Sequence, residues 1–269
     1  MLSAGHGELD FEKVNDRTIL RTAYAKAPLR FLTPQNHGDA AWVYLTNYGG
    51  GLVDGDQIQL KLKLRARAQA VLLTQASSKV YRGTRGASQS LSAQVASEAA
   101  LIILPDPLVC FAGAKFAQTQ EIHLDENASL LIVDIVSSGR HASGERWLFD
   151  RLSNRIRIHR KTKPIFLESL LLDSRAGPIA ERMGRFNAFC VVILIGPDFF
   201  EHGKAFVDSL KDLTIRTRAD LILSGNIFGS DGAIIRVAAV SLEALGAALK
   251  QALNFLPEYL GDDPWTRKW

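Results

Sequence analysis

From residue 56 to residue 65 the chain alternates without a break: Ile58, Leu60, Leu62 and Leu64 interleave with Gln57, Gln59, Lys61, Lys63 and Arg65. A period of two puts the apolar set on one face of a strand and the polar set on the other, and it does not fit the 3.6-residue period of a helix. A break at 67–69 leads into the apolar stretch 70–74, which predicts a strand covered on both faces. The same order recurs twice. Residues 90–95 alternate, 96–98 turn and 99–104 are apolar; then 118–124 alternate, 125–127 turn and 130–136 are apolar. Ala70-Val71-Leu72-Leu73, Ala99-Ala100-Leu101-Ile102 and Ala128-Ser129-Leu130-Leu131 follow one another at a spacing of 29 residues. Repetition at such a period predicts stacked units that bury a shared core none could close alone. Each unit supplies one half-exposed and one buried strand. The expected fold is therefore mainly β, a stacked two-layer body of sandwich or β-helix-like form, extended by strands at 155–158 and 166–172.

Beyond residue 173 the pattern changes. An apolar strand at 190–195 closes on Gly196 and Pro197, and residues 198–213 place Phe200, Phe206, Leu210 and Leu213 at helical spacing. A second helix starts at Ser241, a good N-cap residue, and keeps Leu242, Leu245, Leu249, Leu253 and Leu256 on one face until Pro257 stops it. Between them, strands at 219–223 and 233–240 flank a turn containing Gly229, Ser230, Asp231 and Gly232. The expectation is a repeated β body over 1–172 and an α/β segment over 173–269, with two helices, packed on it as one continuous domain.

Composition narrows the function classes. In 269 residues, 47% are hydrophobic and 22% charged, enough for a globular core. The net charge of +4 is small, and the densest basic run, Arg151, Arg155, Arg157, Arg160, Lys161 and Lys163, alternates with Ile156 and Ile158 as a solvated strand face does. It lacks the stacking aromatics of a nucleic-acid groove, so no nucleic-acid partner is expected. The apolar run at 189–196 is far short of the ~20 residues that span a bilayer, and no membrane partner is expected. Glu8, Asp10, Glu12 and Asp16 interrupt the N-terminus where a secretory signal would be apolar. Cys110 and Cys190 form no CxxC pair and read as inert buried thiols of a reducing, cytoplasmic setting.

Candidate chemistry is sparse. Gly49, Gly50 and Gly51 precede a strand rather than a helix, so they read as a turn and not a phosphate cradle. Asp54 and Asp56 in the next turn are expected to bond backbone amides. The six histidines form no HExxH or zinc-like spacing, and no Gly-x-Ser-x-Gly elbow occurs. Asp134 and Glu168 stand out because each interrupts an apolar strand. A buried carboxylate needs a partner, a wet cavity or a cation. Arg140, Arg146 or Lys79 could pair with them, or they could line a water-filled passage. A carbohydrate-active enzyme on a β-helical fold is the alternative class, and it would need acids and bases converging in a cleft.

Four segments then carry a resemblance: Gly50-Gly51-Leu52-Val53-Asp54-Gly55-Asp56, Thr74-Gln75-Ala76-Ser77-Ser78-Lys79-Val80-Tyr81-Arg82, Leu104-Pro105-Asp106-Pro107 and Ser138-Gly139-Arg140-His141-Ala142-Ser143-Gly144-Glu145-Arg146-Trp147. In this order they resemble the UreD (UreH) family of urease accessory proteins, its plant-type branch in particular. The resemblance implies a β-rich, non-enzymatic scaffold that joins a UreF-like protein and the UreG-like GTPase on apo-urease. It implies nickel(II) in transit to the dinuclear centre through an internal tunnel, with no cofactor held tightly. Carried onto this chain, it makes Asp134, Glu145 and Glu168 candidates for a nickel route, with Ser78, Lys79, Arg140 and His141 lining or bracing it. Asp54 stands where many relatives have Gly, and Ser137-Ser138 replaces a segment that includes Cys in many bacterial members.

Overall fold

The computed structural model describes residues 4–35, 37–212 and 218–266. Two strands, β1 (Ala4–Val14) and β2 (Arg17–Lys26), form a hairpin, followed by β3 (Leu29–Leu32) and β4 (Ala41–Asn47). The repeated region then makes coils. The first holds β5 (Gln57–Leu64), β6 (Gln69–Thr74) and β7 (Ser78–Val80); the second holds β8 (Ala87–Val95), β9 (Ala100–Ile103) and β10 (Leu108–Cys110). The third holds β11 (Lys115–Leu124) and β12 (Ser129–Ser137), after which β13 (Arg151–Arg160) and β14 (Lys163–Asp173) form a hairpin.

Each coil lays its first strand on one sheet and the rest on the other. The seven-stranded sheet has the order β14-β13-β11-β8-β5-β1-β2, and its members β13, β11, β8, β5 and β1 are parallel neighbours. In the ten-stranded sheet β4, β6, β9 and β12 are parallel neighbours in the same way. The two expected forms merge: a short β-helical stack is widened by antiparallel strands into a two-sheet sandwich. The sequence pattern follows from which faces are covered. Strand β5 is alternately exposed and buried along its length because only one face of its sheet meets the core. All nine residues of β12 are buried because its sheet is covered on both sides.

The second cover comes from the C-terminal segment, which contains α1 (Ile179–Met183), β15 (Ala188–Ile195), α2 (Phe200–Ser209), β16 (Leu221–Phe228), β17 (Gly232–Ala239), α3 (Leu242–Ala252) and α4 (Leu256–Leu260). Strands β15, β17 and β16 extend the ten-stranded sheet beside β12. Val71, Leu73, Ile102, Leu131 and Val133 pack outward from this sheet in one core with Phe199, Leu245, Leu249 and Leu256. Leu62, Leu64, Ala93, Val95, Ile122 and Leu124 meet Ala70, Leu72, Leu101, Leu130 and Ile132 in the core between the sheets. Among the described residues two of the four α-helices are those expected, and α1 and α4 add single short turns. Leu213 lies outside the described residues.

Ser241 caps α3 as its spacing implies, its side chain accepting a hydrogen bond from the Ala244 N–H at 3.2 Å. Pro257 does not end this helix. The helix stops at Ala252, and Pro257 sits in the first turn of α4, where its missing N–H leaves no helical bond unmade. The repeat also has a different phase from the apolar tetrapeptides. Ala70 lies opposite Leu101, not Ala99. The equivalent residues are Ala68, Ala99 and Ala128, each fully buried and each just after a residue in the left-handed region, Arg67, Glu98 or Asn127. In each turn the alanine N–H donates back to the third residue before it, and the Ala68 and Ala99 carbonyls accept from Ala100 and Ser129 of the next coil. What recurs is thus a turn with a small buried residue. Two extra residues in the first coil are absorbed in the loops between β6 and β8.

Candidate functional site

Alternation along the seven-stranded sheet decides which side chains face the inter-sheet space, and three amides fall into one row. Gln118 on β11 is in register with Gln89 on β8 and with Asn154 on β13. In the adjacent row stand Leu91, Gln120, Ile156 and Glu168. From the opposite sheet Thr74, at the end of β6, and Asp134, midway along β12, share the inward parity of Leu72 and Ile132. Polar groups from both sheets therefore meet where the rest of the layer is hydrocarbon.

Cavities lie along these residues. One of about 50 Å³ is lined by Thr74, Ser78, Gln89, Gln118, Gln120 and Asp134 among others. A second, about 320 Å³, includes Asp134, Asn154, Glu168, Cys190, Ser224 and Arg236. The third, about 190 Å³, includes Asn47, Gly51, Thr74, Ser78, Lys79 and Gln89. The first shares Asp134 with the second, and Thr74, Ser78 and Gln89 with the third. Buried Gln120 Oε1 and Asn154 Oδ1 face this region with no protein hydrogen-bond partner among the described residues. Such groups are normally satisfied by water.

Burial pushes the Asp134 carboxyl up to about 6, and the negative charge of Glu168 adds to the effect, while a hydrogen bond donated by Asn154 Nδ2 to Asp134 Oδ2 opposes both. A group poised there exchanges its proton close to neutrality. Glu168 accepts a hydrogen bond from Arg236 Nη2 at 2.5 Å, its side chain 21% exposed and that of Arg236 47%. It stands at the rim, whereas Asp134 stands inside. Neither pairs with Arg140, Arg146 or Lys79, the partners considered from sequence. The partners found are Asn154 and Arg236, brought in by β13 and β17. Thr74 and Asp106 lock the neighbouring loop: the Asp106 N–H donates to Thr74 Oγ1 at 2.7 Å, and the hydroxyl donates to Asp106 Oδ2 at 3.2 Å.

The remaining candidates divide. Ser78 lines two of the cavities and Lys79 one. Glu145, Arg140 and His141 lie elsewhere, in the 138–147 loop, and line none of these three cavities. Glu145 forms an ion pair with Arg140 and accepts the Ala112 N–H at 3.2 Å; Arg140 and then Ala112 hold its carboxyl below the usual range, against some desolvation. The Arg140 guanidinium stacks 4.4 Å from the Phe111 ring centroid. His141 is exposed in a short 3₁₀ turn. Arg146 bonds Asn187 Oδ1 at 2.6 Å. These residues tie the loop to the segment just after β10 and to the residue just before β15, and line none of the three cavities. The turn readings hold: Asp54 accepts the Arg85 and Gly86 N–H groups at 2.8 and 2.7 Å, and Asp56 accepts that of Val53 at 2.9 Å. Both cysteines are buried, and burial pushes the Cys110 thiol up to about 12, which leaves it unreactive.

Gln89, Gln118, Gln120, Asn154 and Arg236 were not anticipated as site residues. For the first four a signal existed, since alternation carried back from Leu91, Ile122 and Ile156 assigns them to the inward face. Arg236 reaches Glu168 only because β14, the edge of one sheet, lies against β17 of the other.

Among the described residues no helix is long and apolar enough to cross a membrane. A family model described as UreD urease accessory protein matches residues 3–269. Urease accessory protein UreD of Sorangium cellulosum (strain So ce56) is 43% identical over 266 residues, covering 99% of this chain and 85% of the relative. Urease accessory protein D of Arabidopsis thaliana is 33% identical over 291 residues, covering 97% and 99%. The protein of that name from Oryza sativa subsp. indica is 32% identical over 293 residues, covering 98% and 96%.

Proposed function

This chain belongs to the UreD family of urease accessory proteins, and from that premise we propose that it joins a UreF-like protein and a UreG-like GTPase on apo-urease and passes nickel(II) through its interior in a cytoplasmic setting. Its role is accessory rather than enzymatic, and the relatives' names favour this over a carbohydrate-active enzyme.

The observation that supports the conduit reading is the row of three cavities in which the first shares Asp134 with the second and Thr74, Ser78 and Gln89 with the third as lining residues. Nickel here is cargo. Carboxylate, hydroxyl and amide oxygens offer a borderline divalent ion weaker stations than thiolates or imidazoles do. Asp134 suits such a station because its carboxyl, near 6, is shared between ion and proton. Glu168 would admit or release the ion at the rim by exchanging it against Arg236. Ser78 and Lys79 would line the far end. Glu145, Arg140 and His141 brace the loop and are withdrawn from the route.

The test uses Asp134→Ala and Glu168→Ala in cells that make apo-urease. Recovered complexes are scored for both accessory partners and the urease for nickel content. The expected result is intact assembly with less nickel. Loss of assembly in both variants would assign the carboxylates a structural role and end the conduit reading.

A further inference from the structure

The outer face of the seven-stranded sheet, opposite the interior seam, carries a second cluster. Ile122, Leu124 and Ile158 point inward, so the alternation turns Glu121 and His123 of β11 and His159 of β13 outward. His123 and His159 are direct cross-strand partners in a parallel pair. Their rings stack with centroids 4.7 Å apart and planes 15° from parallel. Glu121 Oε1 lies 3.5 Å from His159 Nε2 and 3.8 Å from His123 Nε2. One ligand atom from each of the three residues falls within 4.8 Å of the others. His159 Nε2 is buried and makes no protein hydrogen bond among the described residues.

We propose that Glu121, His123 and His159 form a divalent-cation site on this face. Two ligands at about 2.0–2.2 Å from one ion lie about 3–4 Å apart, so small side-chain rotations suffice to close the set. The ligands stand on adjacent hydrogen-bonded strands, which limits the ordering that binding requires. Two imidazoles and one carboxylate select zinc(II), nickel(II) or copper(II) over magnesium(II) or calcium(II). Glu121 is exposed, and three protein ligands leave positions open to water, so the ion exchanges readily. Arg157, in register with Glu121, opposes the ion's charge and keeps the site weak. The site does not depend on the conduit reading, since its residues line neither the Asp134 cavities nor the Lys79 end.

Tag-free full-length protein is dialysed to equilibrium against nickel(II), zinc(II) or magnesium(II), and bound metal is measured for wild type, the double variant His123→Ala with His159→Ala, and Asp134→Asn. The double variant should hold one equivalent less nickel and zinc than wild type, with magnesium unaffected and Asp134→Asn retaining that equivalent. In the wild type, nickel should broaden the ring proton resonances of His123 and His159 before those of His6 and His141, a readout that stands even if the double variant folds poorly. Equal metal content in folded wild type and double variant, or broadening that spares both rings, would overturn the proposal.

Discussion

Beside the turns at Ala68, Ala99 and Ala128 the inter-sheet layer is built from the rows Leu64, Val95 and Leu124, and Leu62, Ala93, Ile122 and Ile158. Farther along the same strands the row is Gln89, Gln118 and Asn154, faced by Thr74 and Asp134. The backbone is the same in both regions, with parallel strands in unbroken register. The first closes on hydrocarbon and supplies the stability; the second leaves cavities lined by amides and a carboxylate that costs stability when ionised. A scaffold can thus hold a polar seam through its core provided the coils are fastened elsewhere.

The sharpest way to break this contrast is to damage its two ends in turn. Leu124→Ala should cost about 2–5 kcal/mol in urea unfolding, because a fully buried leucine leaves a cavity in a packed region. Gln118→Ala should cost much less, since its surroundings are already open. Comparable losses would mean that the seam carries as much packing energy as the apolar end.

Asp134 gives the next largest effect, and its sign is set by pH. Its carboxyl is pushed up to about 6, above the ordinary 3.8. The folded state therefore holds the proton more tightly, and stability falls as pH rises from about 4 to about 6, by up to about 1.4 kcal/mol per pH unit. Asp134→Asn keeps the oxygen that accepts from Asn154 and should flatten that slope. An unchanged slope would show that burial does not raise this group. Glu145 should act oppositely: Arg140 holds its carboxyl low, so the contribution of the pair is present at neutral pH and fades as pH falls through the carboxylate range. Glu145→Gln should remove that acid-side loss and leave nickel transfer unchanged. Smallest in stability is Glu168→Gln, within about 1 kcal/mol because its ion pair is partly solvated. Its nickel transfer should nonetheless fall.

Much of the fold was legible because half-buried strands announce themselves by parity, as Ile58 to Leu64 do, and doubly covered strands by unbroken apolar runs, as residues 130–136 do. Strands β1 to β4 were not read. Gly5 and Gly7 hide the pattern of β1, yet they are needed there: a methyl added at Gly7 would lie 2.6 Å from Leu29 Cδ2. The apolar strings give the wrong phase for the repeat because the turns at Ala68, Ala99 and Ala128, not the strings, stack the coils. At the site, Asp134 and Glu168 were visible as charges in apolar strands, and the amides were visible to the same parity rule. Their convergence was not, since Glu168 meets Arg236 only through the pairing of distant strands. Glu145 was placed with the acids by its segment, but its local partner Arg140 keeps it in the loop.

The most direct test converts the amide row to hydrocarbon. In the double variant Gln89→Leu with Gln118→Leu, side chains of similar size dry the seam without removing a carboxylate. The account predicts equal or greater resistance to urea, full assembly with the accessory partners, and urease recovered with markedly less nickel. Urease loaded to the wild-type level by this variant would contradict it.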